Sequence, residues 1–417
     1  MEVDQQLIMA RIGDIYLGGR ELGAPTSRNF PSGIAFPLKR ESEIDYVWAS
    51  QDLSWQVELK HGHVYVVARS HDPQAYDKLV TSGLEQIQRC QDIIAVKRLG
   101  ISVLDHPETN HIDSFQRDGE AVLRHFSVAT LGIATSVSVE LRDKNGNIKP
   151  SPPIPEPIWT WAFRYYRLSQ ASQDIYEAYR NLFLSLEALL NNIRPKLPSE
   201  SERKWLKKAL SEVATRVRLA DHTPPAIADP IGYFMKTQYE DIRCRLFHSK
   251  HPDALLPHEE LNPTDVLVAY EGLLRLWRDI AETYFEVPSG GGVVTYQGFR
   301  YWMDKAFSHP LSLYFTEDNS PPQKDDIRVS PLGLPTFQFA QSTYLSETRP
   351  GVVSWQGETK MLDIDKNLSI HRICSVTDKT LLNVAFIEDG LSPSGADVFQ
   401  TYQSMRLSNI GQPRTTF

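Results

Sequence analysis

Between a proline-dense loop and a glycine hinge, four stretches of this chain repeat apolar residues every three or four positions. No other feature constrains the fold as strongly. The loop, Pro150-Ser-Pro-Pro-Ile-Pro-Glu-Pro157, holds five prolines in eight residues, so it sustains neither a helix nor a central strand and predicts a domain boundary. The hinge is Pro288-Ser-Gly-Gly-Gly292. The first stretch, Trp159–Ile193, carries Leu168, Ala171, Ile175, Tyr179, Leu182, Leu186, Leu189 and Ile193 at helical spacing. The second opens on Ser199-Glu-Ser-Glu202, which reads as a capping box, and continues with Trp205, Leu206, Ala209, Val213 and Val217. The third and fourth begin at Asp229-Pro230 and Asn262-Pro263, each a side-chain cap before a proline at the first helical position. Their stripes are Ile231, Met235, Tyr239, Ile242 and Leu246, then Val266, Tyr270, Leu273, Trp277, Ile280 and Tyr284. Four apolar faces need partner surfaces, and the short linkers near 194–198 and 249–261 suit antiparallel neighbours. A helical bundle is the simplest closed solution.

The flanks read as strand-rich. Before the loop, Trp55–Leu59, Val64–Ala68 and Ser136–Leu141 are candidate strands, the last followed by an Asn-Gly turn in Asp143–Asn147. One amphipathic helix is expected near Pro73–Ala95. After the hinge, the candidate strands are Thr336–Phe339, Gly351–Trp355, Leu368–Ser375 and Leu381–Ile387, with a polar helix near Gly395–Arg406. The expected class is therefore α+β, a central antiparallel helical bundle flanked by strand-rich N- and C-terminal regions. Its parts are a strand-rich α+β domain at 1–150, a linker at 151–158, the bundle at 159–287 and a strand-rich region at 293–417. Pattern leaves open whether the two flanks pack together.

The formal charge of −8 disfavours a protein that coats nucleic acid nonspecifically. Between Trp159 and Phe285 the 17 basic and 17 acidic residues cancel, so the whole deficit lies in the flanks. The basic residues of the second stretch, Lys204, Lys207, Lys208, Arg216 and Arg218, read as a solvated face or a nucleic-acid footprint. No apolar run approaches the roughly 18–20 residues that cross a bilayer, and the start, Met1-Glu-Val-Asp-Gln-Gln6, lacks the basic opening of a secretory signal. Cys90, Cys244 and Cys374 are scattered with no C-x-x-C pair, which argues against a disulfide framework and for the cytoplasm. His61-Gly-His63 has no acidic or cysteine partner at ligand spacing, and Gly290–Gly292 lacks the lysine of a phosphate loop. No G-x-S-x-G elbow is present. Neither a metal nor a cofactor is expected.

The chemistry-bearing segment is Arg243-Cys-Arg-Leu-Phe-His248, at the end of the third stretch. Cleaving an RNA phosphodiester requires a base for the 2′-hydroxyl, a cation for the pentacoordinate phosphorane and an acid for the leaving 5′-oxygen. Histidine suits the proton steps because it titrates near neutrality. Arginine suits the phosphate because its fork matches two oxygens and keeps its charge.

An arginine and a histidine with four residues between them, within four helical stretches, resemble the R-x(4–6)-H signature of the HEPN superfamily. The resemblance covers Trp159–Phe285 and implies a metal-independent endoribonuclease that leaves 2′,3′-cyclic phosphate and 5′-hydroxyl ends. It assigns phosphate stabilisation to Arg243 and acid–base work to His248, and implies a homodimer in which two copies of the motif share a cleft. Glu187 resembles an acidic position frequent in such domains and is a candidate to orient Arg243 or His248. The family commonly has a polar residue after the arginine, where this chain has Cys244. On an ideal helix, residues five apart diverge by roughly 140°, so Arg243 and His248 meet if the helix ends near Phe247 or the arginine reaches round. Arg245, three before His248 and four after Asp241, is the alternative cation. The implied partners are RNA, a second copy of the chain and a regulatory protein, and the implied setting is bacterial anti-phage defence or a toxin acting on tRNA or other RNA. The alternatives are a non-catalytic HEPN module that binds nucleotide, RNA or protein, and a scaffold whose flanks hold the function.

Overall fold

Strands from both ends of the chain interleave in two large sheets. The computed structural model describes residues 8–20, 30–133, 140–150, 156–250, 252–288, 298, 300–301, 311–349, 351–361, 368–378 and 380–409. The first part supplies β1 (Ile8–Ile12), β2 (Ile15–Arg20), β3 (Ser32–Pro37), β4 (Tyr46–Ala49), β5 (Trp55–Leu59), β6 (Tyr65–Ser70), helix α1 (Tyr76–Val96), β7 (Asn110–Arg117) and β8 (Glu120–Ile133). A small hairpin, β9 (Leu141–Arg142) and β10 (Ile148–Lys149), precedes the helical segment. The last part supplies β11 (Leu311–Thr316), β12 (Thr336–Gln338), β13 (Gln341–Arg349), β14 (Val352–Lys360), β15 (Ile370–Thr377), β16 (Thr380–Ser392) and β17 (Val398–Asn409).

One sheet has six strands in the order β12-β11-β15-β16-β1-β2, and the other has nine in the order β13-β14-β17-β8-β7-β3-β6-β5-β4. Neither is made by one flank. In the first, Ile12 of β1 pairs with Leu391 of β16. In the second, β17 lies between β14 and β8. Ile12, Leu17, Phe315 and Ile373 of the smaller sheet share a core with Ala35, Tyr65, Ile112, Leu123 and Phe399 of the larger. Helix α1 packs on β3, where Gly83 lets its backbone approach so closely that a Cβ would collide with the Ile34 side chain. That is why β3 is buried on nearly every residue, against one neighbour layer through Ala35 and against α1 through Ile34.

The expected plan of a central helical bundle with strand-rich flanks is overturned. Sheets of six and nine strands dominate the chain, and residues 1–131 and 295–407 form one compact unit, the larger of two. The reason is that alternation of apolar residues marks a strand but not its partner, and these partners lie hundreds of residues apart in sequence. The expected polar helix near Gly395–Arg406 is likewise corrected, because it is the central strand β17. Both its edges are taken by neighbouring strands, and Gln400, Thr401 and Gln403 are fully buried. Several of their polar groups find partners; Gln403 Nε2, for example, donates to the Ile373 carbonyl of the other sheet at 3.2 Å.

The second unit holds Gly132–Val294. Its helices are α2 (Ala162–Ala171), α3 (Ile175–Ile193), α4 (Glu202–Val213), α5 (Pro230–Phe234), a π-helix at Met235–Cys244, α6 (Arg245–Phe247) and α7 (Thr264–Phe285), with a short 3-10 turn at Leu219–His222. The first stretch read from sequence as one helix breaks at Ser172, which is extended, and restarts under the Asp174 side chain, which accepts from the Tyr176 N–H at 2.8 Å. Trp277, Leu182, Leu206, Tyr239 and their neighbours form one core. Inside it the Ser185 hydroxyl donates to the Ala162 carbonyl at 2.6 Å and accepts from Trp277 Nε1 at 2.7 Å, joining α2, α3 and α7.

The candidate strand Ser136–Leu141 lies mostly outside the described residues, as do the middle of the proline loop (151–155) and the glycines of the hinge. The turn after it is formed as expected, with Asp143 Oδ1 accepting from the N–H groups of Asn145 and Asn147 at 2.8 and 2.9 Å. Among the described residues, no helix is long and apolar enough to cross a membrane. All three cysteines are free.

Candidate active site

The motif is presented by the segment that begins at Asp229, whose side chain accepts from the Gly232 N–H at 2.9 Å, with Pro230 in the first turn. After one α-helical turn the chain widens into ten residues of π-helix, Met235–Cys244. Long π stretches are rare and concentrate at functional sites. Within it the Gln238 carbonyl accepts from the Tyr179 hydroxyl at 2.8 Å. Tyr179, Phe183 and Glu187 recur every fourth residue on α3, so one stripe of that helix runs along the π-helix and meets Arg243 at its far end.

The helix stops at Phe247, and His248 leaves helical geometry with φ −127° and ψ 92°. Arg180 Nη2 donates to the Leu246 carbonyl at 3.1 Å, satisfying one of the terminal acceptors. This early stop brings the two motif residues together despite their five-residue separation. Arg243 Nη1 lies 3.4 Å from His248 Nε2. Because guanidinium only donates, the contact is a hydrogen bond when Nε2 carries the lone pair, the form a general base needs. His248 is exposed, whereas Arg243 is only 8% exposed.

Three rings collar the guanidinium, with Phe247, Tyr239 and Phe183 centred 4.9, 5.4 and 5.9 Å from its Cζ. Two carboxylates hold its other edge. Arg243 Nη2 lies 3.4 Å from Glu187 Oε1 and also pairs closely with Glu202 Oε1. Burial, and then the hydrogen bond shared with Glu202, push the Glu187 carboxyl up to about 7, against the pull of Arg243. Burial, helped by the charge of Glu202, pushes the Tyr239 phenol up to about 12, and Cys244 stands within hydrogen-bond reach of it.

Glu202 is the site residue that sequence reasoning missed. It reads locally as the acid of a capping box, but Ser201 caps α4 without a side-chain bond and Glu202 reaches across to Arg243 instead. Nothing in the spacing of either helix announces that contact.

Arg245 and Asp241 fall elsewhere. Arg245 Nε donates to the Asp253 carbonyl at 2.6 Å and Nη1 to the Asp241 carbonyl at 3.4 Å, while the Asp241 carboxylate pairs with Lys236 at 2.6 Å. Both residues line a cavity of about 680 Å³ with Gln238, Tyr233 and Arg275. The structure thus groups Arg243, His248, Glu187 and Glu202, with Cys244 at their edge. The basic residues of the second stretch are largely engaged: Lys208 pairs with Glu200 at 3.0 Å, Arg218 with Asp221 at 3.4 Å, and Arg216 donates to the Thr283 carbonyl at 3.1 Å. His63 lies between Asp14 and Asp389, at 2.8 and 3.4 Å, acids too distant in sequence to be noticed. Among the described residues, no three His, Cys, Asp or Glu side chains form a metal-holding group.

No family model, curated protein or solved structure matches this chain.

Proposed function

We propose that the chain is an endoribonuclease of the HEPN kind that works without a metal, with Arg243 and His248 as its catalytic pair. The observation that carries this reading is the 3.4 Å approach of Arg243 Nη1 to His248 Nε2 at a helix end, with the imidazole exposed to solvent. In the reaction, His248 takes the proton of a ribose 2′-hydroxyl and the freed oxygen attacks the adjacent phosphorus. The bond from phosphorus to the 5′-oxygen breaks, giving a 2′,3′-cyclic phosphate. The leaving 5′-oxygen takes a proton from a second acid, which in a homodimer is His248 of the partner subunit. Arg243 neutralises the charge that builds on the equatorial oxygens, and its aromatic collar fixes the plane of the fork before substrate arrives.

With this reading we place the protein in the cytoplasm, where RNA is at hand and thiols such as Cys90, Cys244 and Cys374 stay reduced. Its setting is a toxin or an anti-phage effector, its substrate tRNA or another cellular RNA, and its control a regulatory protein. The non-catalytic reading is favoured by one observation, that Glu187 and Glu202 already occupy Nη2 of the buried guanidinium.

The test incubates the purified protein with total RNA in EDTA and maps new 5′-hydroxyl ends by sequencing. Wild type is expected to produce them, and His248→Ala to lose at least about 100-fold in rate, the usual worth of a general base. Equal cleavage by the two proteins would overturn the assignment.

A further inference from the structure

We propose that Glu202 is a positioning residue that latches Arg243, so that leaving Nη2 is the step that admits a phosphate to the site. The inference rests on the assignment of Arg243 as the phosphate-binding group and adds a residue and a form of control to it.

A guanidinium grips a phosphate best with two parallel N–H bonds, one from each arm of the fork. In this structure the arms are divided. Nη1 faces His248, and Nη2 is held by Glu202 and approached by Glu187 at 3.4 Å. A phosphate arriving from the His248 side meets one free arm. The collar of Phe183, Tyr239 and Phe247 leaves the guanidinium little room to turn a second arm outward. The obstacle that can move is Glu202. It sits at the first position of α4, its side chain is 38% exposed against 19% for Glu187, and Ser201 makes no side-chain bond that would fix the turn. Glu187 instead projects from the middle of a buried helical stripe.

The charge balance points the same way. Around Arg243 stand Glu187 on α3, Glu202 on α4, and Tyr239, Cys244 and His248 on the motif segment. With both carboxylates ionised they outweigh the guanidinium and repel an anion. A proton shared between Glu187 and Glu202, which burial favours, weakens the hold on Nη2. Anion binding should therefore strengthen as pH falls through about 7.

The experiment measures binding of a fluorescent 2′-O-methyl oligoribonucleotide, which cannot be cleaved, by anisotropy at fixed salt. The proteins are wild type, Glu202→Gln, Glu202→Asp and Glu240→Gln. Glu240 pairs with Arg203 and so reports the general effect of deleting one carboxylate. Glu202→Gln is expected to bind roughly tenfold tighter than wild type and Glu240→Gln less than about twofold tighter, since a charge on the ligating atoms outweighs a remote screened one. Glu202→Asp, which keeps the charge but draws it back, should tighten binding as well and serves if the glutamine variant does not fold. Equal affinities for the Glu202 and Glu240 variants would overturn the latch. If the Glu202 variants bind tighter but no protein yields 5′-hydroxyl ends from ordinary RNA, the ribonuclease reading fails and the latch stands.

Discussion

Replacing Glu187 with glutamine tests the electrostatics of the site without asking the protein to cleave anything. The folded protein holds the Glu187 carboxyl at about 7 against an ordinary 4.5, chiefly through burial. The group is thus raised in the folded state, so its contribution is favourable below the unfolded value and is lost as pH rises through the folded one. At about 1.36 kcal/mol per pH unit, that gap sets a ceiling of about 3 kcal/mol on the stability lost between pH 4.5 and 8. The proton is shared with Glu202, so the loss belongs to the pair. Glutamine keeps the shape, accepts from Arg243 through its oxygen and donates to Glu202 through its nitrogen, all without a charge to desolvate. Urea unfolding of wild type and Glu187→Gln at pH 5, 6, 7 and 8, followed by tryptophan fluorescence, is the assay, with Trp205 and Trp277 in the core of the helical unit as reporters. Titrating groups outside the Glu187–Glu202 pair cancel in the difference between the two proteins. The variant's margin over wild type should grow by about 1–3 kcal/mol between pH 5 and pH 8. A difference that stays flat from pH 5 to 8 would refute the buried carboxyl pair.

Two further outcomes follow from buried polar groups outside the site. Ser185→Ala removes the acceptor of Trp277 Nε1 and the donor to the Ala162 carbonyl, both buried, and should cost about 2–4 kcal/mol by the penalty for stranded polar atoms; a loss under about 0.5 kcal/mol in a urea titration would show that the helices do not depend on this hydroxyl. In the other unit, Asp113 is fully buried and burial pushes its carboxyl up to about 8, so stability is lost as pH rises through that value. Asp113→Asn should therefore blunt the fall in melting temperature between about pH 4 and 8, the window from the carboxyl's ordinary 3.8 to its folded value, and an unchanged profile there would contradict the assignment.

What the sequence disclosed was local. The spacing of Leu182, Leu186 and Leu189 gives a helix because 3.6 residues close a turn, and Asp229 and Asp143 act through bonds only a few residues long. What it concealed was non-local. Val398-Phe-Gln-Thr-Tyr402 carries a polar pattern that reads as helical, and only the two strands beside it, from distant parts of the chain, make it a strand with buried glutamines. The candidate site divides the same way. Arg243 and His248 belong to one short segment and were legible as a motif. Glu202 was hidden because its role depends on how α4 approaches the π-helix, and periodicity carries no record of that approach.

The π-helix packs against both α3 and α7 through Gln238. The Tyr179 hydroxyl is fully buried on α3 and needs an acceptor, which Gln238 supplies through its backbone carbonyl at 2.8 Å and its side-chain oxygen at 3.2 Å. The Gln238 side chain also donates to the Ala269 carbonyl of α7 at 3.0 Å, so this one residue ties the π-helix to both neighbours. A π turn advances fewer degrees per residue than an α turn, so these ten residues set where Arg243 points around the axis. The guanidinium is thereby delivered to the end of the Tyr179–Phe183–Glu187 stripe instead of to the cavity side, where Arg245 lies. The π geometry of this segment thus takes part in deciding which of its two arginines meets the histidine.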